Sequence, residues 1–253
     1  MQGVATSSPG PVPFERLERE LRELVGTVRE PALRELLDRL VGPSAQLWAS
    51  WSTAPAAKRY HEAYRHGLLE HSLAIAQGVS AMAATFPGVD RDLAVSGALL
   101  HDVGKTDAYS IEGDEIAITA AGKLQGEIAL GYFLVRAEIE RIDGFRTETA
   151  EALLHIIVSH HGRLEYGSPV APCTREAVLV HMVDNLGARF GSFDRLERSL
   201  KEGLQWSGFD RALSGEAYFG TRAAWRPNGP RPASADTRCR RTSRTHSSRQ
   251  PRA

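Results

Sequence analysis

The chain has 253 residues, 42% of them hydrophobic, and 31 basic and 31 acidic side chains cancel to a formal net charge of zero. That is enough material for one sizeable core. No apolar run approaches the roughly 18 residues a membrane span needs, and two cysteines, Cys173 and Cys239, support neither a disulfide framework nor a thiolate zinc site.

Met1 to Pro13 lacks a basic start followed by an apolar core, so no signal peptide is expected and a reducing cytoplasm is the default compartment. The same stretch, rich in Ser, Pro and Gly, reads as a disordered leader. Phe14, Leu17, Leu21 and Val25 recur at a helical period. Pro31 suits the first turn of a second helix carrying Leu33, Leu36, Leu37 and Leu40. Residues 43–65 read as short helices with Trp48 and Trp51. His66 to Phe86 predicts a long helix, and Asp90 to Val103 another, stopped by Gly104. Residues 106–120 break the pattern: Tyr109-Ser110-Ile111 and Glu115 to Ile118 flank Gly113-Asp114, which predicts a small β-hairpin near residues 108–118. Ala121–Ile142, Thr147–His161, Arg175–Phe190 and Asp194 to about Trp206 predict four more helices. From residue 223 eight Arg and one Asp stand among Ser, Thr and Pro, a composition unable to bury enough apolar surface to fold. The expectation is an all-α helical bundle over residues 14–222 between a disordered leader and an Arg-rich tail. The body left without that tail is acidic, not a broad basic nucleic-acid surface.

Within this frame, His71, the pair His101-Asp102 and Asp184 lie on three different apolar helical segments. His71 shares a face with Leu68 and Ile75, and His101 follows the small residues Ala94, Gly97 and Ala98. Asp184 follows Ala177 and Val180, and His160 follows Leu153, Ile156 and Ile157. Each is a polar group on an apolar stripe. A lone inward histidine is ordinarily a hydrogen-bonded core residue. Several inward His and Asp together are most simply satisfied by coordinating metal. Glu127, His160 and His161 lie between the pair and Asp184 and would complete a second site. Nitrogen and carboxylate donors without sulfur suit Mn, Fe, Co, Ni or Zn better than Mg, which prefers oxygen ligands and water. The two oxygens of Asp102 could bridge two divalent ions, which would activate water for in-line attack on phosphorus. Lys105 is placed to reach a phosphoryl oxygen, although on its own a solvated lysine at a helix end is the favoured reading. Gly104-Lys105-Thr106 is not a P-loop: the nearest earlier glycine, Gly97, is two residues too far, and a helix precedes it. There is no G-x-S-x-G or H-E-x-x-H motif.

The ordered H…HD…D pattern resembles the HD phosphohydrolase superfamily. Gly67-Leu68-Leu69-Glu70-His71-Ser72, Gly97 through Lys105, Val158-Ser159-His160-His161-Gly162 and Val183-Asp184-Asn185 resemble, more narrowly, the YhaM-type 3′-to-5′ exoribonucleases. That resemblance implies an all-α HD fold, two divalent ions with manganese foremost, and hydrolysis of phosphodiester or phosphomonoester bonds in nucleotides or short single-stranded RNA. It implies His71, His101, Asp102 and Asp184 as first-metal ligands and His160 at a second metal, with His161 or His155 close by. Lys105, His155 and Arg163 are candidate substrate contacts. The family usually has a histidine where this chain has Glu127, and it carries an oligonucleotide-binding barrel before the HD domain where here only helices and a short leader precede it. A small-nucleotide phosphatase or cyclic-nucleotide phosphodiesterase is therefore an alternative, and a catalytically weak metal-binding regulator another. The sequence does not specify an oligomeric state.

Overall fold

A computed structural model describes residues 12–58, 62–113 and 115–220. The expected leader, up to residue 11, and the expected tail from residue 223 lie outside the described residues. The helices run α1 (Phe14–Gly26), α2 (Pro31–Val41), α3 (Trp48–Thr53), α4 (Gly67–Ala83), α5 (Arg91–Leu100), α6 (Lys105–Ala108), α7 (Ala120–Leu124), α8 (Gly126–Ile139), α9 (Thr147–Ser159) and α10 (Arg175–Ser199). Between α6 and α7, strands β1 (Tyr109–Glu112) and β2 (Glu115–Ile118) pair antiparallel with Tyr109 opposite Ile118. The protein is a helical bundle with one small hairpin, as its periodicities predict. Among the described residues no helix is long and apolar enough to cross a membrane.

The core is built around α4 and α5, whose apolar side chains are buried almost all round. Leu68, Leu69, Val79, Leu99 and Leu100 are solvent-inaccessible, packed with Ile156, Ile157 and Val180 from α9 and α10. Asp90 caps α5 by accepting a hydrogen bond from the Leu93 amide, and Thr174 caps α10 through the Ala177 amide. Gly97 lets α9 approach, since a Cβ there would lie 2.5 Å from Ile156 Cδ1.

Three boundaries differ from expectation. The single helix expected over Ala121–Ile142 is two, because Gly126 takes φ +77°, a left-handed conformation that ends α7 and redirects the chain. The two helices expected from Arg175 onward are one, of 25 residues. Gly191 does not break α10 because Ser192 and Leu196 beyond it are buried, and tertiary burial outweighs the roughly 1 kcal/mol helix penalty of one glycine. Finally, α5 ends at Leu100, and His101 to Gly104 tighten into turns with bonds from Val103 N to Leu100 O and from Lys105 N to Asp102 O. Gly104 is not a left-handed stop: it keeps right-handed helical angles, and its lack of a side chain serves packing. A Cβ there would fall 2.0 Å from Glu127 O and 2.4 Å from Gly131 N, so glycine is what lets α8 lie against the His-Asp turn.

Candidate metal centre

Four helices bring their polar residues to one buried point. His71 comes from the second turn of α4, His101 and Asp102 from the turn after α5, His160 from the end of α9, and Asp184 from α10. His71, His101 and Asp102 are at most 3% exposed and His160 is fully buried. His71 Nε2 lies 3.2 Å from Asp184 Oδ1 and 3.3 Å from His101 Nε2. Asp102 Oδ2 lies 3.3 Å from His101 Nε2 and 3.5 Å from His71 Nε2. A tetrahedral ion with bonds of about 2.1 Å sets its ligands about 3.4 Å apart, so these spacings fit a metal polyhedron. His71, His101 and Asp184 form one group able to hold an ion, and Asp102, His160 and His161 form a second.

The local backbone aims these imidazoles. His101 and His160 are the C-cap residues of α5 and α9, where the last carbonyls lack helical partners. Each ring folds back and donates its Nδ1–H to the carbonyl three residues earlier, Ala98 O and Ile157 O, both at 2.7 Å. His161 does the same to Tyr166 O at 2.7 Å. A carbonyl only accepts, so Nδ1 carries a proton and Nε2 faces the centre, with a lone pair to offer whenever the ring is neutral. His71 differs: its Nδ1 faces the Glu62 carboxylate at 3.4 Å.

The centre is electrostatically loaded. Burial alone would depress the His71 imidazole, but the Asp184 and Glu62 carboxylates outweigh it and hold its pKa at about 9. Burial likewise opposes charge on His101, which Asp102 and Asp184 raise to about 10. Burial would raise Asp102, yet the Lys105 and His101 cations hold its carboxyl well below the usual range. His160 is pushed down by burial and stays neutral. Asp102 Oδ1 and His160 Nε2 are buried atoms, 3.5 Å apart, with no hydrogen-bond partner among the described residues. An acceptor lone pair facing an acceptor carboxylate oxygen leaves both uncompensated, and a shared cation satisfies both at once. The donor set and these two orphans therefore fit a divalent metal.

The other expected residues fall around this array. Glu127, at the start of α8, puts Oε1 3.9 Å from His161 Nε2 with about a quarter of its side chain exposed, at the rim of the second group. Lys105 does not extend past a helix end. It begins α6, and its Nζ folds back to 2.6 Å from Asp102 Oδ2. Arg163 is exposed beside Tyr166, with its guanidinium 6.0 Å from the ring centre. His155 belongs to neither group: its Nε2 accepts from the Cys173 amide at 2.9 Å, as its place on the more polar line of α9 suggests. Two contributors were not visible in the sequence. Glu62 precedes α4 and has no helical phase relation to His71, and His181 donates from α10 to His160 O at 2.7 Å. The histidine itself was the only available signal for His181.

Residues 68–189 match the HD domain family. The chain is 30% identical over 195 residues to the "3'-5' exoribonuclease YhaM" of Bacillus velezensis, covering 76% of this chain and 60% of that protein. The proteins of the same name from Bacillus subtilis and from Geobacillus sp. are each 29% identical, again over 76% of this chain. The chain thus spans about 60% of the length of these relatives. No solved structure matches it.

Proposed function

We propose, from the match of residues 68–189 to the HD domain family, that the chain is a metal-dependent phosphohydrolase cleaving phosphodiester or phosphomonoester bonds in nucleotides or short single-stranded RNA. The observation that carries this is the pair of orphaned atoms, Asp102 Oδ1 and His160 Nε2, inside a buried array of imidazoles and carboxylates. His71, His101 and Asp184 would hold one ion, and Asp102, His160 and His161 a second, with Glu127 at its rim and Asp102 Oδ2 turned toward the first group. When bound, divalent ions supply Lewis acidity toward a phosphoryl oxygen and lower the pKa of water enough to provide a nucleophile at neutral pH. Nitrogen and carboxylate donors without sulfur suit Mn, Fe, Co, Ni or Zn, and the family resemblance points to manganese among them.

The chain's own residues supply the rest. The carbonyls of Ala98, Ile157 and Tyr166 fix the imidazole tautomers, so the ligands need no reorganisation. Lys105 places a fixed cation beside Asp102, in an environment where charge is poorly screened, and favours a phosphoryl anion there. The relatives are 3'-5' exoribonucleases, which supports RNA as the substrate class. The test is metal analysis of the purified protein followed by incubation with nucleotides and short single-stranded RNAs in added Mn. Mn-dependent hydrolysis of at least one of these is expected; none, in protein that binds Mn, would refute the proposal.

A further inference from the structure

Beside the metal centre, and outside both ligand groups, a cleft of about 180 Å³ opens between the α3–α4 connection and the start of the hairpin. Thr53, Pro55, Arg65, Thr106, Tyr109 and Ile111 line it. Whole-ligand pockets run to roughly 300–1,000 Å³, so this is the size of a subsite.

Its chemistry is specific. Arg65 is exposed and, among the described residues, makes no ion pair or hydrogen bond, whereas Arg16, Arg39, Arg136 and Arg195 are each tied to a carboxylate. The hydroxyl hydrogens of Thr53 and Thr106 go to Ala49 O and Val103 O, which leaves their oxygens as acceptors. Tyr109 is half-buried, and its strand pairing with Ile118 fixes its backbone. The cleft thus combines a free cation, an aromatic ring on a fixed backbone and hydroxyl acceptors.

Its position ties it to the centre. Thr106 directly follows Lys105, whose ammonium is 2.6 Å from Asp102. The Tyr109 phenol, raised chiefly by burial, lies within electrostatic reach of Lys105, Glu127 and Asp102. A strand with one unit at the metal centre can therefore lay the next unit here.

We propose that this cleft binds the nucleotide adjacent to the one being hydrolysed, with Arg65 meeting its phosphodiester anion and Tyr109 stacking its base. This rests on the phosphohydrolase reading of the neighbouring centre, and it selects oligonucleotides over mononucleotides. Stacking on an aromatic side chain and pairing with a guanidinium tolerate any base, so the subsite reads length and not sequence.

The experiment measures equilibrium binding of 5′-fluorescein-labelled adenylates of one to four nucleotides by anisotropy, in EDTA so that no strand is cut. Wild type is expected to gain about tenfold in affinity between one and two nucleotides. Arg65→Ala and Tyr109→Leu should each erase most of that gain, and Tyr109→Phe should keep it because the ring remains. The gain persisting in Arg65→Ala and Tyr109→Leu, or being absent in wild type, would overturn the subsite. Hydrolysis of the same strands in Mn separates the two readings. A variant-sensitive length dependence without any cleavage would support the subsite while the phosphohydrolase assignment fails.

Discussion

Asp102 holds the centre together before any metal arrives, so its charge can be tested on the metal-free fold. Replacing it with the isosteric Asn keeps the volume and an acceptor for Lys105 but removes the negative charge. Lys105 Nζ is 2.6 Å from Asp102 Oδ2, with side-chain exposures of 14% and 3%. At an effective dielectric of about 20, that separation corresponds to roughly 6 kcal/mol of gross attraction. Desolvation of both charges cancels much of this in the wild type. Removing one partner leaves His101 facing Asp184, and Lys105 facing Asp184 and Glu127, and breaking a buried pair this way costs about 3–5 kcal/mol. His101 can lose its proton to relieve part of the strain, so the lower end is expected. A domain with 5–15 kcal/mol of stability survives such a loss. The assay is urea unfolding followed by circular dichroism at pH 7 in EDTA, paired with Mn titration calorimetry. Wild type should gain about 2.7 kcal/mol from Mn at a hundred times its Kd. Asp102→Asn should start lower, gain little and hydrolyse nothing. If Asp102→Asn keeps its metal-free stability within 1 kcal/mol and binds Mn with wild-type stoichiometry, both the electrostatic account and the bridging role of Asp102 are wrong.

Gly104→Ala drives a methyl group into backbone atoms of α8 and should cost at least about 3 kcal/mol. A thermal melt should show a fall in Tm of roughly 6–12 °C, with weaker binding of the second ion because α8 carries Glu127; an unchanged Tm would contradict the close approach. The His71 and His101 pKa values, about 9 and about 10, lie above the ordinary 6.5. Their stabilisation of the metal-free protein is therefore complete below about pH 6.5 and is lost as pH rises through 10. Coordination needs neutral imidazoles, so Mn binding at pH 7 should release about two protons, read as a buffer-dependent enthalpy in calorimetry; a buffer-independent enthalpy would mean the rings are already neutral. Glu127→Ala should remove one bound ion per chain and the activity with it, by elemental analysis and rate; unchanged stoichiometry and rate would assign Glu127 to the surface.

How much was legible beforehand follows from the range of each signal. Periodic apolar residues identified α1, α2, α4 and α9, because a helix hydrogen-bonds locally and shows its buried face in residues three and four apart. The Gly113-Asp114 signal identified the hairpin for the same reason. His71, His101, His160 and Asp184 could be recognised as polar groups on apolar stripes, which local spacing makes visible, and Asp102 as the second half of the His-Asp pair. Their convergence on one buried point could not, since it depends on how α4, α5, α9 and α10 cross. The break at Gly126 and the continuity of α10 past Gly191 were likewise decided by tertiary packing, as the same residue type ended one helix and was carried through another. Which nitrogen of each histidine faces inward was settled only in three dimensions. The helix ends at Leu100 and Ser159 present orphan carbonyls to the rings beside them, and those hydrogen bonds turn two histidines in a sequence into an array with its lone pairs aimed inward.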